Sequence, residues 1–175
     1  MTRIIFTYGL ISGVVIIFGI LGTMNLSGGH SLWLGYLIML VALSSILVGV
    51  KQYRDRELGG AIKFGRALLI GLGIATVASL AYMLIWEAYL ALTHYTFMDQ
   101  YIDAMLAAKR AHGVTGAAYQ KAVAEMETMR QQYANPLYRM PETFMEIFPV
   151  GVLIALVSAA LLRNTGFLPA RARAA

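Results

Sequence analysis

Apolar positions along this chain fall into four unbroken blocks, from about Ile4 to Leu26, Leu32 to Val50, Ala67 to Leu92 and Phe144 to Leu162. Each is about 19 to 26 residues long. At roughly 1.5 Å per helical residue, each block can cross a hydrocarbon layer of about 30 Å. None alternates with period two, so the pattern predicts helices and no strands. Between the third and fourth blocks the pattern changes. Met98, Tyr101, Ile102, Met105 and Leu106 recur at i, i+3, i+4, i+7 and i+8, the spacing of an amphipathic helix. A break at His112-Gly113 follows, and Thr115 is placed to cap a second such helix carrying Tyr119, Ala122, Val123, Met126, Met129 and Tyr133. Asn135-Pro136 stops it. The prediction is an all-α integral membrane four-helix bundle, one domain over 1–175, with an extracytoplasmic helical hairpin over about 95–139.

Composition strengthens the membrane reading. Hydrophobic residues make up 59% and charged residues 13%, well to the apolar side of a soluble domain. Met1-Thr2-Arg3 before an apolar run resembles the start of a signal peptide. That run is longer than a signal core and no Ala-x-Ala-like site follows it, so it predicts a retained first helix. Cysteine is absent, which excludes disulfides, thiolate metal sites and cysteine nucleophiles.

The net charge of +5 comes from basic residues in short segments beside the apolar blocks, which encodes orientation rather than nucleic-acid binding. Lys51, Arg54, Arg56, Lys63 and Arg66 form the densest cluster, in the loop 51–66. Placed in the cytoplasm, that loop also puts Arg3 and the tail Arg163 to Arg173 inside. The uncharged turn Ser27 to Ser31 and the long 93–142 region then fall outside, with both termini cytoplasmic. The same five side chains are candidates for lipid headgroup or partner contact, with Gly59-Gly60 as a turn and Ile62 and Phe64 dipping into the interface. The glycines do not match a nucleotide-binding loop.

The pattern Lys51-x-Tyr53-Arg54-Asp55-x-x-x-Gly59-Gly60-x-Ile62-x-Phe64-Gly65-x-Ala67, joining two apolar helices ahead of the long polar segment, resembles the bacterial four-helix membrane family catalogued as domain of unknown function 4199. The resemblance spans nearly the whole chain. It implies a bacterial inner-membrane protein and brings no activity or catalytic residues.

Carboxylates within apolar helices are expensive and so are candidates for function. Glu87 counts about 30 Å along its helix from Arg66, and Glu146 about 25 Å back from Arg163, so both fall near headgroup level. With His94 seven residues after Glu87, and Glu142 four before Glu146, a ligand or polar cluster is conceivable. Pro149 would remove a helix hydrogen bond beside it. The set matches no metal signature, and no metal or other cofactor is assigned. Small residues recur every fourth position: Gly9 and Gly13; Gly71, Ala75 and Ser79; Gly151, Ala155 and Ala159. Such rows allow close helix approach. Trp33, Tyr36, Tyr82, Trp86, Tyr89 and Tyr95 suit aromatic belts.

No nucleophile and base pair occurs, which argues against an enzyme. Three readings follow. The first is a non-enzymatic accessory or interaction protein working through the outer hairpin and the basic loop, as a homo-oligomer or with another membrane protein. The second is a small transporter or lipid-handling protein with a polar site between the third and fourth helices. The third is a metal-dependent membrane enzyme at that site.

Overall fold

The computed structural model describes residues 1–26 and 32–170. Among them lie seven helices and no strand: α1 (Thr2–Leu26), α2 (Leu32–Leu43), α3 (Ser45–Glu57), α4 (Phe64–Leu92), α5 (Phe97–Ala111), α6 (Gly116–Ala134) and α7 (Pro136–Leu162). Ser44 alone separates α2 from α3, and Trp33–Glu57 is one apolar span. Four helices are thus long and apolar enough to cross a membrane. The predicted turn at Ser27 to Ser31 and the basic tail Arg171 and Arg173 lie outside the described residues.

Two boundaries differ from expectation. The second span continues to Glu57, so the 51–66 loop shrinks to residues 58–63, where Gly59 and Gly60 take φ of 66° and 98°. The fourth helix starts at Pro136 rather than near Phe144. The Asn135-Pro136 pair that stops α6 also starts α7, because Asn135 Oδ1 accepts the Leu137 amide at 3.0 Å, an N-cap followed by proline at the first helical position, where no amide hydrogen is required.

The chain forms two compact units, Met1–Ile85 with Phe144–Ala175, and Trp86–Thr143. In the first, the small-residue rows meet. A Cβ built on Gly13 of α1 would lie 2.7 Å from the Ala78 carbonyl oxygen of α4, and one on Gly151 of α7 would lie 2.7 Å from the Ala75 Cβ. α4 is therefore the shared partner of α1 and α7. Lipid tails are as apolar as leucine, so contact area alone does not favour helix association and close backbone approach must supply it. Ile16, Ile17, Leu43, Ile46, Ile70, Ile74 and Ala155 are fully buried.

The outward faces carry Phe6, Phe18, Leu37, Val41, Leu69, Leu84, Leu153 and Val157, each more than half exposed. Only 28% to 39% of each apolar window is buried within the protein. A continuous apolar exterior of that extent is incompatible with water and suited to a bilayer. Polar groups inside this unit are matched locally. The Ser12 hydroxyl donates to the Tyr8 carbonyl at 2.8 Å and meets Ser45 Oγ, and the Tyr8 hydroxyl donates to Gln52 Oε1 at 2.6 Å.

In the second unit, α5 and α6 form the anticipated helical hairpin. Ile102, Ala122 and Met126 are buried, while Met105 and Met129 remain exposed. Thr115 occupies the N-cap position of α6 without a side-chain capping bond.

The close approach at Gly13 makes a direct test. Gly13→Leu is expected to destabilise the detergent-solubilised protein by about 1–3 kcal/mol or more through overpacking against α4. Gly22→Ala, at a helical glycine with open space around it, should be neutral or stabilising in the same thermal unfolding measurement.

Candidate functional site

The polar chemistry of the Trp86–Thr143 unit is organised by Arg139, one turn into α7. Its Nε donates to Glu87 Oε1 at 2.7 Å and its Nη2 to Glu87 Oε2 at 2.6 Å, a bidentate fork across from α7 to α4. Its Nη1 donates to the Tyr133 carbonyl at 2.8 Å, at the end of α6. Only 3% of the Arg139 side chain is exposed. Planar two-point pairing of this kind is the strongest form of salt bridge, and burial makes losing either partner costly.

Aromatic rings enclose the fork. The Arg139 guanidinium lies 5.3 Å from the Tyr95 ring centroid and 5.5 Å from that of Tyr133. Trp86 Nε1 donates to the Tyr133 hydroxyl at 2.8 Å, and Phe97 meets Trp86 edge-on at 4.9 Å. The turn that brings Tyr95 to the guanidinium is strained. His94 and Tyr95 both hold left-handed backbone, φ 52° and 58°, which costs a non-glycine residue about 1–2 kcal/mol. The Tyr95 amide closes the turn onto the Leu90 carbonyl at 2.8 Å. The ring contacts and the fork are what hold this conformation against its cost.

Beside the fork is a cavity of about 420 Å³, walled by Leu90, Met98, Ala134 and Pro136 and by the polar groups of Tyr95, Asp99, Arg130, Tyr133 and Arg139.

The anticipated cluster is distributed among separate partners. Glu87 belongs to the fork. His94 is exposed on the strained turn. Glu142 is exposed, one turn after Tyr138 on α7. Glu146, in the first unit, accepts from the Tyr82 hydroxyl at 3.2 Å. Among the described residues no group of three or more His, Asp or Glu is placed to hold a metal ion. Pro149 sits within α7, which stays helical through it.

The basic cluster is also divided. Arg54 departs from the headgroup-facing role expected of it. It is fully buried, with Nε on Asp55 Oδ1 at 2.7 Å, Nη1 on the Phe167 carbonyl at 3.0 Å and Nη2 on the Leu168 carbonyl. Carbonyls beyond the end of α7 need donors, and the guanidinium fork supplies them. Lys51 pairs with Asp55. Arg66 lies over the Tyr53 ring at 5.7 Å, while Arg56 and Lys63 are exposed. Ile62 points inward, at 6% exposure, rather than toward lipid.

Arg139 has no place among the sequence candidates because the fourth helix was expected to begin after it. The Asn135-Pro136 start signal would have put it one turn inside an apolar helix, where a charge calls for a partner.

Fold and site together define a helical membrane protein with four apolar spans, whose chain forms a second compact helical unit over Trp86–Thr143. The chain belongs to the family described as Protein of unknown function (DUF4199), which matches residues 7–164. No curated protein and no solved structure matches the chain.

The fork can be measured by a double-mutant cycle. Glu87→Gln is expected to destabilise the protein by about 3–5 kcal/mol, since it strands the buried Arg139 charge, and Arg139→Gln by less, since the Glu87 it leaves is partly exposed. The double variant should lose clearly less than the sum in equilibrium unfolding. Additive losses would show that the two side chains are not coupled.

Proposed function

We propose that this chain is a bacterial cytoplasmic-membrane protein with both termini in the cytoplasm, acting as a non-enzymatic accessory or interaction protein through the Trp86–Thr143 unit. The partner is another membrane protein or a second copy of the chain, with the basic loop as a second contact; nucleic acid plays no part. One observation carries this reading: the strongest polar groups of the unit are used to hold it together. Arg139, Glu87, Tyr133 and Trp86 bond to one another, leaving a rigid support for the α5–α6 hairpin. Catalysis would need a nucleophile and a base held near a substrate, whereas a docking module needs a stiff frame and exposed side chains such as Met105 and Met129.

A second reading, lipid handling, draws on the cavity beside the fork, which has an apolar wall and charged groups together.

Orientation can be tested cleanly because the chain has no cysteine. Lys121→Cys on α6 should react with a membrane-impermeant maleimide in intact spheroplasts, and Lys63→Cys only after permeabilisation; the reverse pattern would overturn the topology. For the interaction, cross-linking and mass spectrometry in native membranes should give a reproducible partner or self-adduct. It should disappear when Met105 and Met129 are both changed to Glu. A protein that forms no adduct in either form would end the accessory reading.

A further inference from the structure

The two arginines of the cavity are bonded very differently. Arg139 is hydrogen-bonded through each of its three nitrogens, to Glu87 and to the Tyr133 carbonyl. Arg130 is not. Its Nε is buried with no hydrogen-bond partner, although Asp99 Oδ1 lies 3.2 Å away, and its Nη1 reaches Glu127 Oε2 only at 3.6 Å. Asp99 and Arg130 therefore face each other as opposite charges in poor geometry, beside a space of about 420 Å³, a volume within the usual range of small-ligand sites. A ligand carrying one anion and one cation would replace this misaligned pair with two charge-assisted bonds and leave no net charge behind. A lone anion would meet the Asp99 carboxylate, and a lone cation would meet the Arg130 guanidinium.

Depth adds a second constraint. α4 and α7 have 29 and 27 residues, where about 20 suffice to cross the hydrocarbon. Leu90 and Pro136 lie in the terminal turns of these spans, so the cavity falls at headgroup level. Its apolar wall offers a path for the upper part of an acyl chain. The ring faces of Tyr95 and Tyr133 that meet the Arg139 guanidinium are closed to a quaternary ammonium, which favours a cation that donates hydrogen bonds.

We propose that this cavity binds the headgroup of a phospholipid carrying a primary ammonium, of the phosphatidylethanolamine class, with the phosphodiester on Arg130 and the ammonium on Asp99. This deepens the lipid-handling reading, but binding and lipid movement can fail separately.

The chain has two tryptophans, and Trp33→Phe leaves Trp86, bonded to the cavity residue Tyr133, as the sole reporter. Full-length protein is reconstituted in nanodiscs containing lipids brominated near the carbonyl end of the acyl chain. Brominated phosphatidylethanolamine is expected to quench Trp86 at roughly ten-fold lower mole fraction than brominated phosphatidylcholine or phosphatidylglycerol, the size expected for one charge-assisted bond. Asp99→Asn and Arg130→Gln, both at partly exposed side chains, should abolish the preference with helicity unchanged. Equal quenching by all three lipids, a preference for phosphatidylglycerol, or a preference that survives both variants would overturn the proposal. Relief of quenching by soluble glycerophosphoethanolamine at micromolar concentration would also overturn it, because the ligand would then be the free zwitterion. A vesicle-to-vesicle transfer assay separates the two claims: no transfer with the preference intact removes lipid handling and leaves the site.

Discussion

A guanidinium at the start of α7 holds together chain segments that have little else in common. Arg139 reaches Glu87 near the end of α4, the carbonyl that closes α6, and the ring of Tyr95 in the turn after α4. Arginine can do this and lysine cannot, because its five donors lie in one plane with fixed directions while its faces remain available for stacking. The fork satisfies both carboxylate oxygens of Glu87, so a charge that would be costly near hydrocarbon becomes part of the frame. The left-handed turn at His94 and Tyr95 is then sustained by the contact it makes possible.

The spans obey a different rule. Their outer faces are covered with leucine, valine and phenylalanine that would be fatal in water and are neutral in lipid. Glycine and alanine on α1, α4 and α7 let backbones meet closely enough for dispersion to hold them. Where polar groups enter this unit they are consumed locally, as in the Ser12 and Ser45 contact. Arg54 does for the 162–168 segment something close to what Arg139 does for its own unit. It differs in adding carbonyl oxygens to its ion pair with Asp55, so it also seals the end of a helix.

Much of the architecture is legible in the residues. Four apolar blocks, the α5–α6 hairpin and its break at His112-Gly113 all follow from periodicity, because lipid and water impose strong and opposite compositional demands. The rows of small residues foretold close packing, though not that α4 would be the common partner. Basic residues beside helix ends usually face lipid headgroups or partners, and nothing local to Arg54 shows that carbonyls more than a hundred residues later would enclose it. Glu87 was singled out by its depth, but its partner is 52 residues away, and side chains that far apart are joined only by tertiary structure. The Asn135-Pro136 pair illustrates the ambiguity of local signals, since one dipeptide is both a stop for α6 and a start for α7.

Saturation separates frame from site in the Trp86–Thr143 unit. Each nitrogen of Arg139 has an acceptor aimed at it, so a ligand that took one of these bonds would first have to break it. Arg130, four residues before the end of α6, has a carboxylate at ion-pair distance but a buried Nε without a hydrogen bond. A buried donor without a hydrogen bond costs free energy, and that cost is recovered by a group that supplies the acceptor. The two arginines share one cavity and one residue type. The difference in how completely their hydrogen bonds are met assigns one to architecture and the other to recognition.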